Sequence, residues 1–402
     1  MRASTYCEVV AACLVAVLLS GCSPGYVLRA GYEEAKILWR RQPIERVLQQ
    51  SDLDAATREK LTLVLDVRRF AADTLQLRAG ESYASFAHVD EDQVVHVVAA
   101  AYRFRLQPYT WWFPIVGSVP YKGYFSKADA EAEAASLERK GYDTYVRPSV
   151  AFSTLGWFAD PLLSTLLRYD RVTLANVIIH ELLHNTTYIG GHADFDESFA
   201  EFVGSRGAIA FFAARGDEAA RARAAQTWDD AVIFSDFLDR FTASLAQAYA
   251  RGVAADERAQ LFAAGQAEFR SLPLRSGMYH DFGAEPLNNA VILHYRLYNR
   301  QLRVFDELLR QDGSDLPRTI REVLDAVHAH RDDPFAAVRG LVRAQGQEDR
   351  VREGHDSARA FRAGRAQLAA AVHQGPSGLT TWLETARIQQ CVLHFGPSRF
   401  RQ

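Results

Sequence analysis

The sequence predicts a mostly α-helical protein of the α+β class, with a small strand–helix–strand unit placed ahead of a helical core. Three observations predict it. From Asp170 onward apolar residues recur at helical spacing, with Gly or Pro at short joints such as Gly190-Gly191, Gly216, Gly252, Pro273, Pro317 and Pro334. Residues 92–126 instead carry runs rich in β-branched and aromatic residues, "QVVHVVAAAYRF" and "TWWFPIVGSVPYKGYF". The chain has 402 residues, 48% hydrophobic and 24% charged, an ordinary globular balance able to enclose a sizeable core. With a formal net charge of −3 and no clustered basic face, nothing points to a nucleic-acid partner.

The N-terminus reads as a targeting segment. An apolar run from Val9 to Leu19 is shorter than the roughly 20 residues a bilayer-spanning helix needs and suits the apolar region of a secretory signal. It ends in Leu19-Ser20-Gly21-Cys22, which resembles a bacterial lipobox. On that resemblance residues 1–21 are a lipoprotein signal peptide, and Cys22 carries the lipid that anchors the chain to a membrane. Ser23, rather than Asp, after the cysteine implies the outer membrane, facing the periplasm. Of the four cysteines, Cys7 and Cys13 would leave with the signal, and Cys391 would stand alone. A mature chain of this kind has no internal disulfide and no thiolate metal site.

Residues 22–90 read as a helical hairpin. Its first helix runs from Tyr26 to Gln50 and breaks or restarts at Pro43. Its second reaches about Leu75 after the capping run Ser51-Asp52-Leu53-Asp54, with Leu61, Leu63, Val64, Val67 and Phe70 on the apolar side. Residues 91–160 form the small α/β unit. Within it "SKADAEAEAASLERKG" is a helix capped by Ser126 and stopped by Gly141, and "YDTYVRPSVAFSTLGWF" returns to strand composition. Residues 161–349 form the helical core, with helices expected at 171–188, 194–214, 217–250, 254–271, 285–311, 316–329 and 333–345. Residues 350–402, rich in Arg and Ala, read as a loosely ordered tail.

The chemistry concentrates in "HELLHNTTYIGGHADFDESFAEF", residues 180–202. His180 and His184 are spaced i, i+4, so on a helix both imidazoles lie on one face and reach one ion. Glu181, one residue round, can lean over an open coordination position and take a proton from water there; that is the mechanical content of H-E-x-x-H. Glu197 and Glu201 repeat the i, i+4 spacing after a turn at Gly190-Gly191, and a short loop implies antiparallel neighbours. Glu197 is the first choice for a third ligand, with His192 and Glu201 as alternatives. Glu201 suits better the role of holding the other nitrogen of a ligating histidine. Phe195, Phe199 and Phe202 are expected to shield the ion from water. The bland alternative is a buried helix holding two hydrogen-bonded histidines, with no metal.

"FDESFAEF" after "HELLH" resembles the glutamate-zincin (gluzincin) clan. More narrowly the chain resembles a bacterial family of predicted aminopeptidase lipoproteins. The matching stretches are the lipobox, "WWFPIVGSVPYKGYF", "AFSTLGWFADPLLST", "IIHELLHNTTY", "FDESFAEFVGSRG" and "LNNA", which span residues 20 to about 310. The resemblance implies a gluzincin-like helical core holding one Zn2+ on His180, His184 and Glu197, with Glu181 as general base, acting on peptides. By analogy with zinc peptidases it implies a hydrogen-bond donor to the oxyanion, first Tyr298, then Tyr295 or His294 of "NNAVILHYRLYNR". It also implies a substrate strand in "VAFSTLGWF", through Ser153, Thr154, Leu155 and Gly156. Asn289 is a further candidate for shaping the substrate site, and Asp160 or Glu285 for holding a free amine. Two departures stand out: Asp196 occupies a position usually taken by Asn, and cysteines expected within "WWFPIVGSV" are absent, so no disulfide forms there. A metallo-endopeptidase and a non-enzymatic, zinc-stabilised lipoprotein scaffold are the competing readings. Residue types alone do not set the oligomeric state.

Overall fold

The computed structural model describes residues 39–89, 95–113, 117–124, 126–149, 160–282, 284 and 286–342. Cys22, Ser153, Thr154, Leu155, Gly156, Trp157 and Glu285 lie outside them, as do the expected signal segment and the tail. The chain divides into Met1–Arg339 and Gly340–Gln402, and the fold below is that of the first unit. It is mostly helical with small sheets. No described helix is long and apolar enough to cross a membrane.

Of the expected N-terminal hairpin, residues 22–38 lie outside the described residues. Pro43 sits at the N-cap of a short helix, α1 (Ile44–Leu48), so the ring that cannot donate a hydrogen bond falls where no donor is needed. The long helix α2 (Ala55–Asp73) starts where Asp54 accepts the backbone N–H of Thr57. Around α1 the chain adds strands that composition did not signal: β1 (Gln42–Pro43) pairs antiparallel with β2 (Ser85–Ala87), and β2 pairs parallel with β8 (Leu162–Leu163). These strands are two or three residues long, below the length at which alternation becomes legible.

The α/β unit follows. Strand β3 (Val95–Tyr102) is central, with β6 (Tyr121–Tyr124) and β7 (Tyr142–Ser149) antiparallel on either side. A hairpin of β4 (Trp111–Phe113) and β5 (Gly117–Val119) lies in the connection. Helix α3 (Lys127–Arg139) is capped by Ser126 and ends before Gly141, whose φ of +88° is the left-handed conformation glycine adopts without strain. Val98 and Ala100 of the sheet pack on Ala130, Ala134 and Leu137 of α3, joined by Tyr124, Val146 and Trp111. Side chains alternate along a strand, so the opposite face carries the remaining residues. There Tyr121, Ala99 and Tyr145 form one cross-strand row, and Gly123, Val97 and Arg147 the next.

After a 3-10 turn at Ser164–Arg168 the helical core begins with α4 (Arg171–Thr186) and α5 (Ala193–Ala214). Asp170 caps α4 by accepting Val172 N and Thr173 N. Then come α6 (Glu218–Ala250), α7 (Ala255–Arg270), α8 (Asn289–Tyr298), α9 (Leu302–Gln311) and α10 (Leu316–Ala329). Helix α5 is buried nearly all round, as expected of a central helix. Each residue advances about 100° round a helix, so Phe195, Phe199 and Phe202 share one face and Glu197 and Glu201 the opposite one. The phenylalanines pack on Phe305, Phe335 and Trp228. They build the core behind α5 and do not screen the carboxylate face, contrary to the shielding role the sequence suggests.

The helix expected over 285–311 is two helices. Between them Gln301 takes a φ of +52°. The freed N–H groups find side chains of α5 and α6: Arg300 N donates to Ser198 Oγ at 3.0 Å, Gln301 N to Asp239 Oδ2 at 3.1 Å, and Leu302 N to Ser235 Oγ at 3.2 Å. Helical periodicity continues through the break, so only these tertiary acceptors reveal it.

Candidate active site

The site is built on the face where α4 meets α5. The two helices approach closely because Gly204 has no side chain. A Cβ there would overlap Asn176 Oδ1, lie 2.9 Å from the Asn176 carbonyl oxygen and 3.1 Å from His180 Cβ. The approach carries Glu197 of α5 against the histidine face of α4. His180 Nε2 lies 3.2 Å from Glu197 Oε2 and 3.2 Å from His184 Nε2, and His184 Nε2 lies 3.5 Å from Glu197 Oε2. Among the described residues these three side chains form a group able to hold one metal ion.

The triangle fits a small tetrahedral cation. Atoms bonded at about 2.0–2.1 Å to one tetrahedral centre are about 3.3 Å apart, against 3.2, 3.2 and 3.5 Å in the cluster. Two imidazoles and one carboxylate are also a donor set that suits zinc and leaves a fourth position open.

The electrostatics follow from the crowding. Burial pushes the His180 imidazolium down, but the Glu197 carboxylate outweighs it, with help from Glu181 and Glu201, and its pKa rises to about 9. Burial pushes Glu197 up, yet its contacts with His180 and His184 hold it well below the ordinary carboxylate range. Glu181 lies outside the triangle but within its field. Burial raises its pKa, the two histidines oppose the rise, and Glu197 and Asp160 add to it. Glu201 is fixed by Ser205 Oγ at 2.9 Å and Asn176 Nδ2 at 3.4 Å, with its Oε2 3.9 Å from His180 Nδ1. That separation is an ion-pair distance rather than a hydrogen bond.

The remaining predicted residues separate clearly. His192 is half-buried at the N-cap of α5, with no capping bond from its side chain, and stands outside the cluster. Asp196 is buried and accepts Ile189 N at 3.0 and 3.2 Å, clamping the Gly190-Gly191 turn; burial raises its pKa to about 7. An amide oxygen could accept the same bond, so the clamp does not require a carboxylate. Tyr298 ends α8 with its ring 6.3 Å from that of His180. The Glu197 charge, then burial, raises its phenol well above the usual value, so it remains a hydroxyl donor. His294, 5.8 Å from Tyr298, is kept neutral, with burial lowering its pKa to about 3.

Asn289 is not brought to the site surface. It is fully buried; its Nδ2 donates to the Tyr102 carbonyl at 2.8 Å and the Arg103 carbonyl at 3.2 Å, and its Oδ1 accepts from Tyr249 Oη at 2.8 Å. It ties α8 to the end of β3, which corrects the expectation of a substrate contact. Asn288 caps α8 through Val291 N.

Two further residues, neither singled out in the sequence although Tyr121 falls within "WWFPIVGSVPYKGYF", interact electrostatically with the cluster or with Tyr298. Tyr121 of β6 is 36% exposed as a residue, and desolvation at its hydroxyl end, with Glu197, raises its phenol to about 12. Arg147 of β7 is felt electrostatically at Tyr121, Tyr298 and His294. Both lie on the sheet face turned away from α3; strand alternation in the sequence could have paired them, but not said which face meets the helices.

A family model described as "Putative aminopeptidase" matches residues 25–333. Neither a curated protein nor a solved structure matches the chain.

Proposed function

The chain belongs to the family described as "Putative aminopeptidase", and on that premise we propose that it is a zinc-dependent aminopeptidase, with His180, His184 and Glu197 holding one ion and Glu181 as the general base. The observation that carries the reading is the triangle of 3.2, 3.2 and 3.5 Å among three ligand atoms, with the Glu181 carboxylate within the field of both histidines. A zinc ion bound there would supply Lewis acidity, lowering the pKa of water towards about 7 and polarising a peptide carbonyl.

The chain's own residues do the rest. Glu181, its basicity raised by burial, accepts the proton of the attacking water and delivers it to the leaving nitrogen. Tyr298, held protonated, donates its hydroxyl hydrogen to the oxygen on which negative charge develops. Glu201, locked by Ser205 and Asn176, keeps a negative charge on the Nδ1 side of His180 and so fixes that ring. Asp160 is buried, and its charge is felt at Glu181 and Tyr83. The family description favours an aminopeptidase over an endopeptidase. Anchoring through a lipid on Cys22, on the periplasmic face of an outer membrane, belongs to the same proposal and is supported by Leu19-Ser20-Gly21-Cys22.

The test is hydrolysis of a peptide panel, with free and acetylated N-termini, before and after chelation. Metal-dependent cleavage of the free peptides only is expected. Glu181→Gln should keep the metal and lower kcat by roughly 10²–10⁴-fold, Glu197→Ala should lose the metal, and His192→Ala should do neither. Equal cleavage of acetylated peptides would make the enzyme an endopeptidase. Metal-dependent stability without any cleavage would make the protein a scaffold.

A further inference from the structure

Other half-buried arginines find acceptors: Arg58 donates to the Leu48 and Gln50 carbonyls and Arg68 to those of Ser82 and Gly80. Arg258 is paired with Asp143, Arg206 with Asp306 and Arg300 with Asp194. Arg147 is also half-buried, yet among the described residues no carboxylate lies within 4.0 Å of it. Its Nε is buried without a hydrogen-bond partner, and its Nη1 reaches only the Pro148 carbonyl, at 3.4 Å. A guanidinium taken out of water without an anion is costly unless a ligand completes it.

Its direction is set by the sheet. Val146 packs against the α3 side, so Arg147, its neighbour in the strand, projects from the other face, in the row beside that of Tyr121 and Tyr145. Tyr145 on that face packs against His294 of α8, 5.4 Å between ring centroids, and His294 in turn lies 5.8 Å from Tyr298. The guanidinium charge is therefore presented to the wall that borders the His180–His184–Glu197 cluster. The site is polarised, with the charge of Asp160 felt at Glu181 and that of Arg147 felt at Tyr121 and Tyr298. A planar fork of N–H donors matches a carboxylate in two hydrogen bonds.

We propose that Arg147 is the subsite for the C-terminal carboxylate of a short peptide bound across the His180–His184–Glu197 cluster. This rests on the peptidase reading and narrows its substrate class to short peptides with a free C-terminus, because an internal segment of a longer chain brings no carboxylate to that wall.

The experiment is equilibrium binding of trialanine and its C-terminal amide to the zinc-loaded, full-length Glu181→Gln protein, alone and combined with Arg147→Ala or Arg147→Lys. The parent should prefer the free acid by roughly 10–100-fold, the scale of a charge-assisted hydrogen bond. Arg147→Ala should abolish that preference while leaving amide binding within about threefold, and Arg147→Lys should restore part of it. No acid preference in the parent, a comparison that requires no Arg147 variant, overturns the proposal. So does an Arg147→Ala protein that loses acid and amide equally, the pattern of a group acting on the reacting carbonyl or on the fold. Parallel assays of the native chain separate the two readings. Acid preference without hydrolysis of any peptide sinks the peptidase and keeps the anion site; hydrolysis without acid preference does the reverse.

Discussion

Replacing Gly204 by alanine tests whether the close approach of α4 and α5 builds the metal cluster. The new Cβ would lie 2.9 Å from the Asn176 carbonyl oxygen and 3.1 Å from His180 Cβ, and would overlap Asn176 Oδ1. The side-chain amide can swing away, but only by giving up the bonds from its Nδ2 to Ser205 at 2.9 Å and Glu201 at 3.4 Å. The backbone oxygen cannot swing away. Restoring an ordinary contact of about 3.4 Å requires the helices to part by about 0.5 Å, and overpacking of this kind costs about 1–3 kcal/mol. The same movement draws Glu197 away from His180 and His184, stretching a triangle whose edges are 3.2, 3.2 and 3.5 Å. Gly204→Ala should therefore lower the denaturant midpoint and weaken zinc binding together. Gly207→Ala is the internal comparison. Its Cβ would meet side-chain rather than backbone atoms, Cδ1 and Cγ2 of Ile179 and Cδ1 of Leu75, each at 3.0 Å, so the loss should be smaller and zinc affinity nearly unchanged. Chemical denaturation of the metal-free protein and a competitive zinc titration measure the two effects. A Gly204→Ala protein with unaltered stability and affinity would show that the helix spacing does not set the cluster.

Zinc loading at pH 7 should release about one proton, because the metal-free His180 titrates near 9 and must give up its proton to bind; calorimetry in two buffers of different ionisation enthalpy reads this, and zero release would refute the assigned charge state. Affinity should also rise about tenfold per pH unit up to that pKa. Asp196, whose folded pKa of about 7 lies above the ordinary value of 3.8, favours folding most below pH 3.8 and loses that contribution as pH rises through 7. Asp196→Asn should accordingly flatten the pH dependence of metal-free stability across that window and stabilise the protein at pH 8; a pH profile parallel to that of the native chain would contradict it. Asn289→Ala should cost about 1–3 kcal/mol per buried partner left unsatisfied and leave KM for peptides unchanged in the folded fraction; a raised KM with full stability would return Asn289 to the substrate site.

Local order was largely legible in the sequence. The i, i+4 spacing of His180 and His184 and of Glu197 and Glu201, and the caps at Asp54 and Ser126, depend on helix geometry that a few neighbouring residues determine. The mostly helical class follows from the same short-range periodicity. Tertiary structure alone decided what crosses between elements. It turned Phe195, Phe199 and Phe202 into the core behind α5, broke the helix at Gln301 with acceptors from Ser198, Asp239 and Ser235, and buried Asn289 against β3. It also turned the sheet face of Tyr121 and Arg147 toward α8. Periodicity states which residues share a face, and only packing states what that face meets.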